Sequence, residues 1–324
     1  MGKIKWGVLG TANIARGCTI PGMKQVEDCE LYAIAGRSAE KACTFKEDFG
    51  FKVAYSSYED LIADKDVQAV YIPLPNDIHL KWVKEALRSG KHVLCEKPLA
   101  LNLKEAEEMY AVAAENNVCL MEAYAYLHSP YVLSLQEDVR SGLIGDVDYI
   151  ESAFITQGYI EDFRLHKEFG GGAMYDLGCY CTTMILSLID SDPEQVWAQA
   201  EFSDLGVDLM TSAMLKFKSG ARASFNIGMI LDMTSNSRFD RLYVHGSKGC
   251  IKSDVEYNQE GKLSYTIYKS GEVIKREVTA PSNYSIEVQN MCDVINGTAK
   301  PHITPEFSLK NMKLIDEVLN KIGY

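Results

Sequence analysis

The stretch Ile4-Lys5-Trp6-Gly7-Val8-Leu9-Gly10-Thr11-Ala12-Asn13-Ile14-Ala15 decides the fold of the N-terminal part of this chain. Residues 4–9 read as a short buried strand that stops at Gly10. A helix is predicted over 13–27, with Pro21 at a break or a new helical start. A tight strand-to-helix turn lets backbone N–H groups and the helix dipole meet a pyrophosphate. The G-x-G-x-x-G/A spacing is kept at Gly10 and Ala15, with Ala12 at the middle glycine. Alanine is small enough for close approach. A turn of this kind can also be merely structural; its place at the head of a βαβ run favours dinucleotide binding.

Outward from that turn the pattern repeats. Strands are predicted at 31–35, 53–55, 67–72, 92–95 and 118–124, alternating with helices at 39–49, 58–63, 77–89 and 103–116. Such alternation implies a doubly wound parallel sheet with helices on both faces, an α/β fold. After about residue 125 the rhythm changes. A helix near 130–141 precedes strands at 147–155, 195–202, 209–217, 222–230, 239–244, 249–254, 263–268 and 272–279. Turn signals such as Lys218-Ser219-Gly220 and Ser270-Gly271 separate them. This second part reads as α+β with a mainly antiparallel sheet, closed by helices at 284–296 and 306–322. The expected division is 1–122 and 123–324, the terminal helices being free to pack back on the first domain.

Composition narrows the function. A chain of 324 residues favours two domains, and 47% hydrophobic with 24% charged residues is a globular balance. The net charge of −12 and the lack of a basic cluster speak against nucleic acid as a partner. The nine cysteines form no C-x-x-C pair, so no metal site is expected, and free thiols suit a reducing cytoplasm. The N-terminus lacks the apolar region of a signal peptide, and no uncharged apolar run reaches 18 residues. A cytoplasmic protein without a membrane partner is expected.

Four further blocks carry chemistry. The second strand ends at Gly36-Arg37-Ser38, where many dinucleotide folds place an acidic residue for the ribose hydroxyls. A guanidinium and a hydroxyl there suit a 2′-phosphate and tilt the reading toward NADP over NAD, although an arginine stacked on adenine serves NAD equally well. The loop Ile72-Pro73-Leu74-Pro75-Asn76-Asp77-Ile78-His79 lies at the carboxyl end of a parallel strand, where α/β ligands bind. Asn76 or Asp77 is also an ordinary N-cap, and His79 is either a ligand contact or a packed histidine. In Glu96-Lys97-Pro98 the lysine ammonium can polarise a carbonyl or acidify a hydroxyl, against the commoner solvated lysine. In Phe169-Gly170-Gly171-Gly172-Ala173-Met174-Tyr175-Asp176-Leu177-Gly178-Cys179-Tyr180, the carboxylate and phenol at 176 and 180 share one face if the segment is helical. Local bonds alone would also account for them.

Together these blocks resemble the glucose–fructose oxidoreductase/inositol dehydrogenase/rhizopine-catabolism (Gfo/Idh/MocA) family along essentially the whole chain. The resemblance implies an N-terminal Rossmann domain and a second domain with a large open sheet, often used for oligomerisation, hence a homo-oligomer (dimer or tetramer). It implies Lys97 and Asp176 as catalytic residues. Tyr180 stands where many members carry histidine, which resembles the tyrosine-type (DxGxY) branch of sugar and dihydrodiol dehydrogenases. The implied cofactor contacts are Gly10, Thr11, Ala12, Asn13, Ile14, Arg37, Ser38, Pro73, Leu74, Asn76, His79, Glu96 and Lys97. Tyr124, Tyr126, Arg164 and His166 are candidate contacts for a carbohydrate-like substrate, with Tyr124 and Tyr126 alternatively core aromatics. The expected activity is NAD(P)-dependent hydride transfer at a secondary alcohol or carbonyl of a sugar, polyol or cyclic diol. Tyr180 takes the proton and Lys97 lowers the phenol pKa. Two alternatives remain: a redox-neutral enzyme with tightly held NAD(P), and a non-catalytic dinucleotide-sensing regulator.

Overall fold

The computed structural model describes residues 2–232, 237–254 and 256–324. The chain divides into two compact units, Met1–Ala125 with Ser282–Leu309, and Tyr126–Pro281 with Lys310–Tyr324.

The first unit is built on six parallel strands: β1 (Ile4–Leu9), β2 (Cys29–Ala35), β3 (Val53–Tyr55), β4 (Ala69–Ile72), β5 (His92–Glu96) and β6 (Leu120–Ala123). Their order is β3-β2-β1-β4-β5-β6. Trp6, Val8 and Leu9 of β1 and Val70, Tyr71 and Ile72 of β4 are wholly buried, as apolar runs covered on both faces should be. Helices α1 (Ile20–Met23), α2 (Ala39–Phe49), α3 (Tyr58–Ala63), α4 (His79–Arg88) and α5 (Leu103–Glu115) connect the strands. Side chains of Ser38, Ser57 and Asn102 cap α2, α3 and α5, stopping each strand-to-helix loop at a defined residue. Strand order reverses between β1 and β4, the switch point where such sheets bind ligands at their carboxyl ends.

The helix expected over 13–27 is shorter and broken. A π-type turn over Ala15–Thr19 runs into α1, which ends at Met23. Pro21 lies in α1 directly after the π-type turn.

The second unit holds an eight-stranded sheet of β7 (Val147–Gln157), β8 (Pro193–Phe202), β9 (Asp208–Phe217), β10 (Arg222–Leu231), β11 (Arg238–Gly246), β12 (Gly249–Ser253), β13 (Gly261–Lys269) and β14 (Glu272–Ala280). Their order is β14-β13-β12-β11-β7-β10-β9-β8. Neighbours are antiparallel except β7 and β10. Ile150, Phe154, Phe225, Ile227, Val244 and Ile251 fill the covered face. Helix α6 (Pro130–Arg140) lies along β14, and α7 (Cys179–Leu188), apolar nearly all round, packs on β7 and β10. On the open face a row runs across the strands from Trp197 through Met214, Ser224, Glu151 and Tyr243 to Lys252. Helices α8 (Asn283–Ile295) and α9 (Pro305–Ile322) complete the chain.

Candidate active site

In the first unit, Gly10 ends β1 with φ +115°, a backbone conformation open mainly to glycine. Its N–H bonds to the Ala35 carbonyl of β2 at 2.8 Å. A Cβ at residue 10 would sit 2.9 Å from Leu74 Cδ2, so the turn after β1 and the loop after β4 are in close contact at the switch point. Thr11, Ala12 and Ile14 are half-buried and Asn13 is exposed. Ile14, at the start of the π-type turn, supplies no side-chain cap to the amides behind it.

Arg37 is exposed at the end of β2, with its guanidinium beside the Tyr58 hydroxyl. Ser38 accepts from Lys41 N at 3.3 Å, so its oxygen is engaged in capping α2. Pro73, Leu74 and Asn76 are buried. His79 corrects the expectation of a cofactor contact. It has no exposed surface, and its ring nitrogens face backbone carbonyls, Nε2 to Leu74 O at 2.8 Å and Nδ1 to Pro98 O at 3.1 Å. Burial holds its pKa below the ordinary imidazole range. The residue clamps the 74–76 loop to the loop that follows Lys97.

Lys97 leaves β5 half-buried, followed by a cis peptide bond to Pro98. A second brace is Glu122 on β6. This side chain is buried and accepts from Leu99 N at 2.8 Å. Burial pushes its pKa up to about 7, opposed by the Leu99 N–H and the nearby Lys97 charge. The only sequence signal for it was a carboxylate inside an otherwise apolar strand. Glu96, half-buried, accepts from Tyr71 OH at 2.5 Å, and Tyr71 OH accepts from Thr19 Oγ1 at 2.9 Å.

In the second unit, Asp176 lies in a π-type turn over Met174–Gly178 that runs directly into α7, and Tyr180 is one turn further on. Gly172, with φ +101°, precedes the turn. The turn is seated by Asp208, a fully buried carboxyl at the start of β9 whose Oδ2 accepts from Met174 N at 2.9 Å and Thr211 Oγ1 at 2.6 Å. Burial pushes its pKa up to about 7. Thirty-four residues separate Asp208 from Met174, and sequence reasoning missed the connection.

Asp176 is mostly buried and Oδ2 accepts from Arg164 Nε at 2.8 Å. Arg164 also bonds Asp162 Oδ1 at 3.1 Å. These two carboxylates raise the Arg164 pKa above its ordinary value against the effect of burial. Tyr180 is half-buried among aromatic rings. Phe154 meets it edge-on at 5.3 Å, and Tyr126 and Tyr257 lie at 5.4 and 5.3 Å. Arg238 stacks on the far side of this cluster, its Cζ 4.4 Å from the Phe154 ring centre. Phe154, Arg238 and Tyr257 were not among the sequence candidates, because strand alternation alone does not say which inward side chains meet α7.

Two substrate candidates are corrected. Tyr124 and Tyr126 are wholly or almost wholly buried. Tyr126 OH donates within 3.1 Å of the Tyr180 carbonyl and lies 2.8 Å from Thr183 Oγ1, so it anchors α7. Both are core aromatics, with no ring face left to offer. His166 lies on an exposed loop with Nδ1 3.4 Å from Glu168. Among the described residues no group of three or more His, Cys, Asp or Glu side chains is arranged to hold a metal ion. None of the described helices is long and apolar enough to cross a membrane.

Comparison with known proteins agrees with this architecture. Residues 4–124 match the oxidoreductase family with an NAD-binding Rossmann fold, GFO_IDH_MocA, and residues 132–252 match the GFO/IDH/MocA C-terminal domain. The chain is 31% identical to a D-xylose 1-dehydrogenase (NADP(+)) of Haloferax volcanii, over 97% of this chain and 95% of that protein. It is 34% identical to a trans-1,2-dihydrobenzene-1,2-diol dehydrogenase of Xenopus laevis, over 76% and 74%. Among solved structures, a 3-ketoreductase from Actinomadura kijaniata in complex with NADP and TDP-benzene superposes with a TM-score of 0.92 at 28% identity, covering 99% of this chain and 98% of that one. A switch-point glycine turn, a matched Rossmann domain and near full-length relatives that are dehydrogenases lead to one conclusion: the chain belongs to the GFO/IDH/MocA family and is an NAD(P)-dependent oxidoreductase.

Proposed function

We propose that the protein transfers hydride between NADP and a secondary alcohol or carbonyl of a sugar, polyol or cyclic diol, as a member of the tyrosine-type branch. The observation that carries this reading is the seating of Asp176 and Tyr180 one turn apart on a helix start held by Asp208. In the first unit, Lys97 sits on a loop clamped by Glu122 and His79.

The first unit fits a dinucleotide. Gly10 gives the close approach, and the helix that follows it begins within a few residues, with no side-chain cap from Ile14. Arg37 offers an exposed guanidinium for a 2′-phosphate, which favours NADP over NAD. Pro73, Leu74, Asn76 and Glu96 frame the carboxyl ends of β4 and β5. When bound, the nicotinamide supplies or accepts the hydride. In the reducing direction Tyr180 gives its phenolic proton to the carbonyl oxygen, and in oxidation it takes the hydroxyl proton. Lys97 stabilises the negative charge developing on that oxygen and favours the phenolate. Asp176, fixed by Arg164, orients the substrate hydroxyls.

A homo-oligomer through the open sheet face is part of this reading. Trp197 (49% exposed) and Met214 (51%) are cross-strand neighbours there, a contiguous apolar area suited to a second copy. Light scattering reads the mass.

The decisive variant is Lys97→Ala. Turnover is expected to fall by about a thousandfold or more, with NADP affinity within about threefold of the parent. Steady-state rates over a sugar and diol panel, with nicotinamide fluorescence titrations alongside, test both halves. Substantial turnover by Lys97→Ala would remove the lysine from the chemistry.

A further inference from the structure

The segment that carries Asp176 and Tyr180 is entered through two adjacent glycines, Gly171 and Gly172, and the peptide unit between them is held on both sides. Its oxygen, the Gly171 carbonyl, accepts from Tyr324 OH at 2.7 Å. Its N–H, that of Gly172, donates to the Arg164 carbonyl at 2.8 Å. Arg164 in turn gives Nε to Asp176 Oδ2, and the Asp176 N–H returns to the Gly172 carbonyl at 3.2 Å. The contacts close a circuit from Tyr324 to the peptide, from the peptide to Arg164, and from Arg164 to Asp176.

A peptide flanked by glycines has little of its own to fix its plane, because neither neighbour carries a Cβ. The loop is pressed against it, since a Cβ at residue 171 would overlap the Arg164 carbonyl oxygen. The direction of this peptide is therefore set by a partner, and Tyr324 is placed to set it. Gly323, with φ +79°, closes α9, and the Tyr324 N–H bonds back to Leu319 O at 3.0 Å, the long bond of a Schellman turn. Beyond that turn the half-buried Tyr324 ring lies on the glycine block. It meets Tyr175 edge-on at 5.7 Å and carries Lys167 Nζ over its face at 4.5 Å. Its Cε2 stands 3.3 Å from where a Cβ on Gly172 would be. Burial and the nearby Asp208 carboxyl hold the phenol above its ordinary pKa range, so the hydroxyl remains a donor.

We propose that Tyr324 is a positioning residue for the segment that carries Asp176: by holding the Gly171–Gly172 peptide it sets the Arg164 backbone, and with it the guanidinium that fixes Asp176. It acts through Arg164 and not on the reacting atoms. This role rests on the one proposed above for Asp176 toward the substrate, and adds to it a side chain from the far end of α9.

Tyr324→Phe keeps the ring and removes only the O–H; Tyr324→Ala removes both. Each variant is expected to lose about tenfold in kcat/KM for the best substrate of a sugar and diol panel, with NADP affinity at the parent value and the urea midpoint lowered only in Tyr324→Ala. Packing alone would let Tyr324→Phe restore the parental rate. Hydrogen exchange at the Gly172 amide, followed by NMR on the full chain, should quicken by about tenfold in Tyr324→Phe, with exchange in β7 and β10 unchanged. In an Arg164→Ala background the further loss from Tyr324→Phe should shrink to less than about twofold, because both act on one carboxylate. Parental kcat/KM in Tyr324→Phe, parental exchange at Gly172, or a loss that persists in full without Arg164 would each overturn the proposal. The exchange measurement needs no turnover, so it separates the two readings. A parent that oxidises or reduces nothing in the panel, with Gly172 exchange quickened in Tyr324→Phe, would defeat the role given to Asp176 and leave the hold of Tyr324 on the peptide standing.

Discussion

Two glycine turns open the functional helices of the two units, and they treat the amides behind them in opposite ways. Gly10 and Gly172 both have strongly positive φ, +115° and +101°, and both lead into a π-type turn. Behind Gly10 the residue that precedes the π-type turn, Ile14, offers no side-chain cap. Behind Gly172 the Met174 amide is filled by Asp208, a carboxylate of the chain itself. A glycine turn before a helix is therefore an anion site only when the chain has not already supplied the anion. In the proposed reading the first turn receives a ligand's phosphate; the second is an internal joint in which Asp208 holds the start of the segment that carries Asp176 and Tyr180.

The sharpest way to break this contrast is to place a methyl group at each glycine. At residue 172 the added Cβ would overlap Asp208 Oδ1, and the left-handed backbone adds strain. Gly172→Ala is expected to cost about 3–5 kcal/mol in urea unfolding, with turnover lost, because a buried carboxyl cannot step aside. At residue 10 the added Cβ would meet only the Leu74 methyl at 2.9 Å, which can rotate away. Gly10→Ala should leave the fold intact with about 1–2 kcal/mol of strain and weaken NADP binding by about tenfold or more. If the two variants lost equal stability with cofactor affinity unchanged, the proposed division of labour would be wrong.

The ligand side of the comparison is sharpened at Arg37. Arg37→Ala is expected to weaken NADP by about tenfold and NAD by no more than about twofold, since only the former carries the 2′-phosphate. Fluorescence titration with both cofactors decides it. Equal losses would mean that the guanidinium stacks on the adenine instead.

The first turn was readable in the sequence because its parts are contiguous. Strand, glycine and helix start lie within residues 4–15, and the β-branched run before Pro73 marks the neighbouring strand of the switch point. The residues Lys97, Asp176 and Tyr180 were likewise picked out by local motifs. What escaped was everything joined through space. The Asp208 cap, the Glu122 brace and the Arg238–Phe154 stack link segments far apart in the chain. Periodicity cannot say which inward-facing residues of different strands meet. Tyr124 and Tyr126 were ambiguous for the same reason, since a tyrosine leaving a strand looks alike whether it ends in the core or in a cleft. His79 resolves in the same way. Its sequence position suited a ligand contact, yet three carbonyls enclose it.

The internal carboxyl also has a pH signature that the turn behind Gly10 lacks. Asp208 rises from an ordinary 3.8 to about 7 in the folded protein. Between those values the folded state holds a proton that the unfolded chain has released, so the stability from this group is present in full below about pH 4 and is lost progressively up to about pH 7. Above that both states are ionised and the loss is complete. Asp208→Asn removes the titration. Its Oδ1 can accept from Met174 N and Thr211 Oγ1 as Asp208 Oδ2 does, while its amide takes the place of an oxygen that has no hydrogen-bond partner. That unmatched amide offsets part of the gain. The variant is expected to match or fall slightly below the parent at pH 5 and to exceed it by about 2 kcal/mol at pH 8, measured by urea unfolding at both pH values. An advantage that is equal at the two pH values would mean that Asp208 is already ionised at pH 5. The turn behind Gly172 would then hold its anion as a full charge, much as the turn behind Gly10 is proposed to hold a phosphate.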